Sequence, residues 1–114
     1  MSRDTLFLLE PGFEDPNYPG ERFVCPHGIQ IEGLLAGFPD LARQLDIERV
    51  SFARPRQRVV ERLGEKNQSL PVLIFGDDPA PADAERHEGT AFVTASKRIL
   101  DLLAERHGFP RLHP

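Results

Sequence analysis

A second cysteine is missing from this chain of 114 residues. With one thiol, Cys25, no internal disulfide forms, and that usage fits a reducing compartment. Long apolar runs are missing too. Nothing approaches the roughly 20 apolar residues of a membrane helix. The apolar run Leu6–Leu9 is too short for the core of a secretory signal. Basic excess is also lacking: 14 Lys and Arg stand against 18 Asp and Glu, for a net charge of −4. That balance argues against a general nucleic-acid or anionic-membrane binder. The expectation is a soluble, cytoplasmic protein without membrane or nucleic-acid partners.

Several catalytic signatures are absent as well. The chain contains no G-x-S-x-G, no phosphate-cradling G-x-x-x-x-G-K-[ST] and no dinucleotide G-x-G-x-x-G. The acids Asp77, Asp78, Asp83, Glu85 and Glu88 lack calcium-loop spacing and read as a solvated loop. One Cys and one His at C-x-H spacing, Cys25 and His27, fall short of a tetrahedral metal set. No metal or bound cofactor is expected.

What is present is one domain's worth of alternating elements over residues 1–114, with 39% apolar residues to build a core. Thr5–Leu9 is β-prone and stops at Pro11-Gly12, so it predicts a first strand. Pro11–Arg22 is a long loop whose large apolar residues are Phe13 and Tyr18. Ile31, Leu34, Leu35 and Phe38 recur at helical spacing after Cys25-Pro26-His27-Gly28. Pro39 ends or kinks that helix, and Leu41 and Leu45 continue a short second piece. Ile47–Phe52 predicts a second strand. Pro55 suits the first turn of a helix through Val59, Val60 and Leu63, closed by Gly64. Leu70–Phe75 and Ala91–Thr94 predict two further strands, antiparallel to each other, with a polar loop over 77–88 between them. Ser96 predicts an N-cap for a last helix with Ile99, Leu102 and Leu103 inside and Gly108 at its end. The order β-α-β-α-β-β-α predicts a four-stranded mixed sheet with helices on both faces and a right-handed first crossover.

That order, with a cysteine opening the first helix, resembles the thioredoxin-like superfamily. Cys25-Pro26-His27-Gly28 stands where glutaredoxins carry C-x-x-C or C-x-x-S. Ser69-Leu70-Pro71-Val72 stands where the fold carries its cis-proline. Ala95-Ser96 with the following apolar pattern is similar to the (Glu/Asp)-Ser-x-x-Ile of glutathione-transferase N-terminal domains. The pattern covers roughly the whole chain and suggests a small bacterial family of uncharacterised function. Gly28 replaces the second motif cysteine, Ala95 replaces the acid of the transferase pattern, and no helical second domain follows. Phe23-Val24-Cys25-Pro26 also resembles peroxiredoxins, but Arg22 stands where those enzymes place a Thr.

The resemblance implies a monothiol glutaredoxin-like or glutathione-binding protein. Cys25 is then the nucleophile, meeting the unpaired N–H groups and positive dipole end of the first helix, which favour a thiolate. His27 and Gly28 lie beside it. Leu70 and Pro71 hold a ligand's backbone, and Ser96, Arg54 and Arg56 take its carboxylates. Glutathione is a co-substrate, and protein thiols are partners. Arg54, Arg56 and Arg58 crowd a predicted helix start, which opposes the dipole unless an anion binds or surface acids such as Glu61 or Asp46 pair with them. A plainer reading stands beside this one: Cys25 is a small buried hydrophobe, and the chain is a thioredoxin-fold binding module without redox chemistry.

Overall fold

The structure, a computed structural model, describes residues 3–114. β1 (Thr5–Leu9) has the predicted bounds. Its alternate side chains enter two separate cores, Leu6 and Leu8 on one face and Phe7 on the other. β2 (Asp46–Val50) runs parallel to β1, with Thr5 opposite Asp46 and Leu9 opposite Val50. The connection between them carries α1 (Gly28–Gly37) and a short α2 (Pro39–Ala42), which Pro39 opens as its first residue. α3 (Gln57–Leu63) follows, then β3 (Val72–Ile74), β4 (Glu85–His87), β5 (Thr90–Val93) and α4 (Ser96–His107).

The sheet has five strands in the order β2-β1-β3-β5-β4. The fold is thus α/β with a mixed sheet, as expected, but the four-strand count is corrected. The extra strand, β4, lies within the stretch read as a polar loop. It is an edge strand, and Glu85 and Arg86 are exposed, so it has no apolar alternation to betray it. β4 and β5 join through Glu88 (φ 48) and Gly89 (φ 84), a tight turn with both central residues left-handed. β3 is antiparallel to both β1 and β5.

Helices cover both faces. Ile31 and Leu35 of α1, with Ile99, Leu100, Leu102 and Leu103 of α4, pack on Leu6, Leu8 and Leu73. Val59 and Leu63 of α3 pack on Phe7, Val72, Ile74 and Phe92. Fully burying a side chain of this size contributes about 1.5–3 kcal/mol.

Two helix starts differ from expectation. Pro55 is outside α3: Arg56 takes the cap position and the helix begins at Gln57. Ser96 is the first residue of α4, not its cap. Ala95 takes the cap position and no side chain caps the helix. The expected stops hold: Gly64 ends α3 at φ 82, and Gly108 ends α4 in the left-handed region.

Candidate functional site

β1, β2 and β5 point the same way, so their C-terminal ends share one edge of the sheet. In open α/β sheets that edge is where ligand sites form. Continuing the β1–β3 register by one residue sets Pro71 opposite Leu8, and continuing β3–β5 sets Pro71 opposite Ala95. The Leu70–Pro71 peptide is cis. The topology therefore brings Leu70, Pro71 and Ser96 to one sheet end, although Pro71 and Ser96 are 25 positions apart in the sequence.

Cys25 joins them through Gly28. Gly28 opens α1, and its backbone N–H donates to Cys25 Sγ at 3.3 Å. The Cys25 carbonyl accepts from Ile29 N–H at 2.9 Å. Sulfur and carbonyl thus meet two N–H groups of the helix's first turn, which have no partner inside the helix. A Cβ on Gly28 would stand 3.4 Å from Cys25 Cβ, 3.6 Å from Sγ and 3.9 Å from a Leu8 methyl. Gly28 is therefore packed against the cysteine at the end of β1. Cys25 itself is 8% exposed, while Val24 and Ile29 on either side are exposed.

His27 takes the N-cap position of α1 with its side chain in solvent and no capping bond. Among the described residues, no group of three or more His, Cys, Asp or Glu side chains is placed to hold a metal ion.

The arginines separate into three cases. Arg54 is exposed. Arg58 pairs with Glu48 at 2.5 Å and with Glu61 at 3.4 Å, so the surface-acid reading holds for it, with Glu48 rather than Asp46 as the second acid. Arg56 is buried and takes neither route. Its Nε and Nη2 donate to the Phe52 carbonyl, and Nη1 donates to the Gln68 carbonyl. Burial lowers its pKa, the Arg54 charge acts the same way, and a Cys25 thiolate acts against them.

Phe52, not singled out in the sequence, is the hub of this edge. Phe13 stacks on it at 4.6 Å with rings nearly parallel, and the Arg56 guanidinium carbon lies 5.7 Å from its ring centre. Phe13 and Phe23 pair as an isolated antiparallel bridge that closes the long loop on itself, and the Phe13–Phe52 stack holds the loop beside the end of β2. A cleft of about 340 Å³ opens between Phe13, Arg22 and Phe52. Another of about 250 Å³ opens along Thr94, Ala95 and Arg98. A larger one of about 420 Å³ lies away from this edge, beside β2 and α3, and is lined by charged residues already paired with one another, such as Glu48 and Arg58.

Residues 3–111 match the family model described as "Protein of unknown function (DUF3088)". The chain belongs to that family. Comparison with curated proteins and with solved structures returned no match. In this DUF3088 chain no helix is long and apolar enough to cross a membrane, among the described residues.

The opposite end of the sheet holds a second polar cluster that the sequence did not announce. Asp4, 4% exposed, accepts from Arg106 Nε at 2.7 Å, from Arg106 Nη2 at 2.9 Å and from Gly76 N–H at 2.9 Å. His107 Nε2 lies 2.8 Å from Oδ2, the oxygen that also accepts from Arg106 Nε. Partners about a hundred positions apart leave no local signal. This cluster ties the end of α4 to the start of β1 and has a structural reading.

Proposed function

We propose that this chain is a thioredoxin-like thiol protein of the monothiol glutaredoxin type, cytoplasmic, acting through Cys25 on glutathione mixed disulfides. The observation that carries the reading is the Gly28 N–H donated to Cys25 Sγ at 3.3 Å at the start of α1. A donor fixed on the sulfur favours the negative charge that a nucleophilic thiolate needs. Support also comes from the parallel β1-α1-β2 unit followed by antiparallel β3, β4 and β5 and then α4, with Pro71 on the same sheet end.

The chemistry needs no second protein cysteine. The Cys25 thiolate attacks the glutathione sulfur of a protein mixed disulfide, and the protein thiolate leaves. A second glutathione thiolate then attacks the Cys25–glutathione disulfide, releasing glutathione disulfide and restoring Cys25. Leu70 and Pro71 would offer backbone to the peptide, with Ser96 at the same sheet end for a carboxylate.

The test is exchange with glutathione disulfide, followed by intact mass. One glutathionyl adduct on the folded protein, reversed by reduced glutathione and absent in Cys25→Ser, is expected. No adduct on the folded protein, or none until the chain is unfolded, overturns the reading.

The low exposure of Cys25, 8%, favours a second reading: a binding module that keeps the fold and uses the thiol as packing. It predicts a folded protein inert to glutathione disulfide.

A further inference from the structure

Arg56 carries a charge that the fold has taken out of water without giving it a carboxylate. The residue is 7% exposed. Three of the five N–H donors of a guanidinium go to two neutral carbonyls, of Phe52 and Gln68, at 2.8–3.1 Å. Among the described residues no Asp or Glu forms an ion pair with it, whereas neighbouring Arg58 has two. Neutral carbonyls orient a guanidinium but do not cancel its charge, and an uncompensated buried charge is costly. Such a group is stable beside something that becomes an anion.

The placement names that partner. Phe52 follows the end of β2, and Gln68 precedes Leu70–Pro71, so the clamp holds Arg56 at the sheet end where Gly28 packs on Cys25. In the order β2-β1-β3, a side chain that bridges Phe52 and Gln68 crosses the end of β1, where Gly28 packs between Cys25 and Leu8. Of the charges near it, Arg54 repels Arg56 and a Cys25 thiolate attracts it. Arg54 and His27 are solvated and free to turn away, while Arg56 is fixed.

We propose that Arg56 is a positioning residue of the thiol site, a fixed cation clamped by the Phe52 and Gln68 carbonyls that favours negative charge at and around Cys25. The inference rests on Cys25 being reactive, and it narrows the substrate class. Disulfides and electrophiles bearing carboxylates react faster than neutral ones of the same chemistry. A cation already oriented before the substrate arrives needs no reorganisation when charge develops.

Paired alkylation rates test this. The folded protein is treated with iodoacetate or iodoacetamide at about pH 8.5, where an ordinary imidazole is neutral, and labelling of Cys25 is followed by mass. Relative to free cysteine in the same buffer, the iodoacetate-to-iodoacetamide ratio is expected to rise severalfold and to shrink with added salt. Arg56→Met returns the ratio to that of free cysteine, and Arg62→Gln, on the outer side of α3, keeps it. A wild-type ratio equal to that of free cysteine overturns the proposal, as does a folded Arg56→Met that keeps the raised ratio. If Arg56→Met does not fold, Arg54→Gln decides. Loss of the preference there makes Arg54 the cation and overturns the proposal, and a surviving preference upholds it. Labelling without preference removes this inference alone. Absence of labelling by either reagent in the folded protein removes the reading of Cys25, and this inference with it.

Discussion

Arg56 and Gln68 hold each other twice. The Gln68 side-chain oxygen accepts the Arg56 backbone N–H at 2.8 Å, and the Arg56 guanidinium donates to the Gln68 backbone carbonyl at 2.8 Å. Gln68 also donates from Nε2 to the Glu65 carbonyl at 2.8 Å. The pair joins the turn before α3 to the turn before β3, and both residues are buried. Gln68→Leu leaves the Arg56 N–H without an acceptor, so a loss of about 1–3 kcal/mol is expected. Gln68→Glu keeps an acceptor oxygen and loses less. Urea midpoints at unchanged slope measure both. Equal stability of Gln68→Leu and wild type would show that this brace does not hold the two turns.

Asp4 makes stability fall in acid. Burial pushes its carboxyl up, but hydrogen bonds from His107, Arg106 and Gly76, with the Arg106 charge, outweigh that and hold it well below the usual carboxylate range. A carboxylate depressed in the folded state contributes fully above its unfolded value of about 3.9, and that contribution is lost as pH falls through that value toward the folded one. Asp4→Asn leaves the partly buried Arg106 without its counter-charge and removes one of the buried carboxylate's acceptor oxygens, so a cost of about 1–3 kcal/mol at neutral pH is expected. The gap between wild type and Asp4→Asn should narrow between about pH 4 and pH 2. Denaturation curves across that range check the sign, and a gap that widens in acid contradicts it.

How far the sequence reaches depends on whether a signal is local. β1 was legible to the residue because Thr5–Leu9 is β-prone and stops at Pro11-Gly12, and each of its faces meets a core. Gly64 and Gly108 were legible because only glycine takes those backbone angles cheaply. β4 was not, since an edge strand of Glu85, Arg86 and His87 looks like any solvated loop. The arginine cluster was legible as an electrostatic problem, but not in its solution. Surface acids answer it for Arg58, while Arg56 turns inward to two carbonyls that only the folded chain brings together. The landmarks Cys25, Pro71 and Ser96 were read from resemblance, and the strand registers then bring Pro71 and Ser96 to the sheet end where Cys25 packs.

Gly64 is required for two reasons that can be separated. Its φ of 82 and ψ of 167 lie in a region that is essentially glycine's alone. A Cβ there would also stand 2.8 Å from the His87 ring. Gly64→Ala is expected to cost about 1–3 kcal/mol from the backbone and more from the clash. Adding His87→Ala should recover the clash and leave the backbone part. A double-mutant cycle reads the difference. Additive effects would mean that the ring simply swings aside.

A Cβ at residue 28 would meet Cys25 at ordinary contact distance, and that yields a direct test of the motif's geometry. The Cβ position at residue 28 lies 3.4 Å from Cys25 Cβ and 3.6 Å from Sγ. A disulfide needs Cβ atoms about 3.5–4.5 Å apart, so Gly28→Cys requires a shift of only a fraction of an ångström. Residue 28 begins α1, where any L-residue fits the helical backbone. The variant should fold, and on treatment with an oxidised dithiol it should close Cys25 to residue 28 within one chain. Mass spectrometry after alkylation reads the outcome, because a closed pair takes up no label until it is reduced. Closure would confirm that Cys25 presents its sulfur toward the first turn of α1. Two freely alkylated thiols under the same treatment would mean that Sγ points away from residue 28, and the thiol chemistry built on the Gly28 contact would then lose its footing.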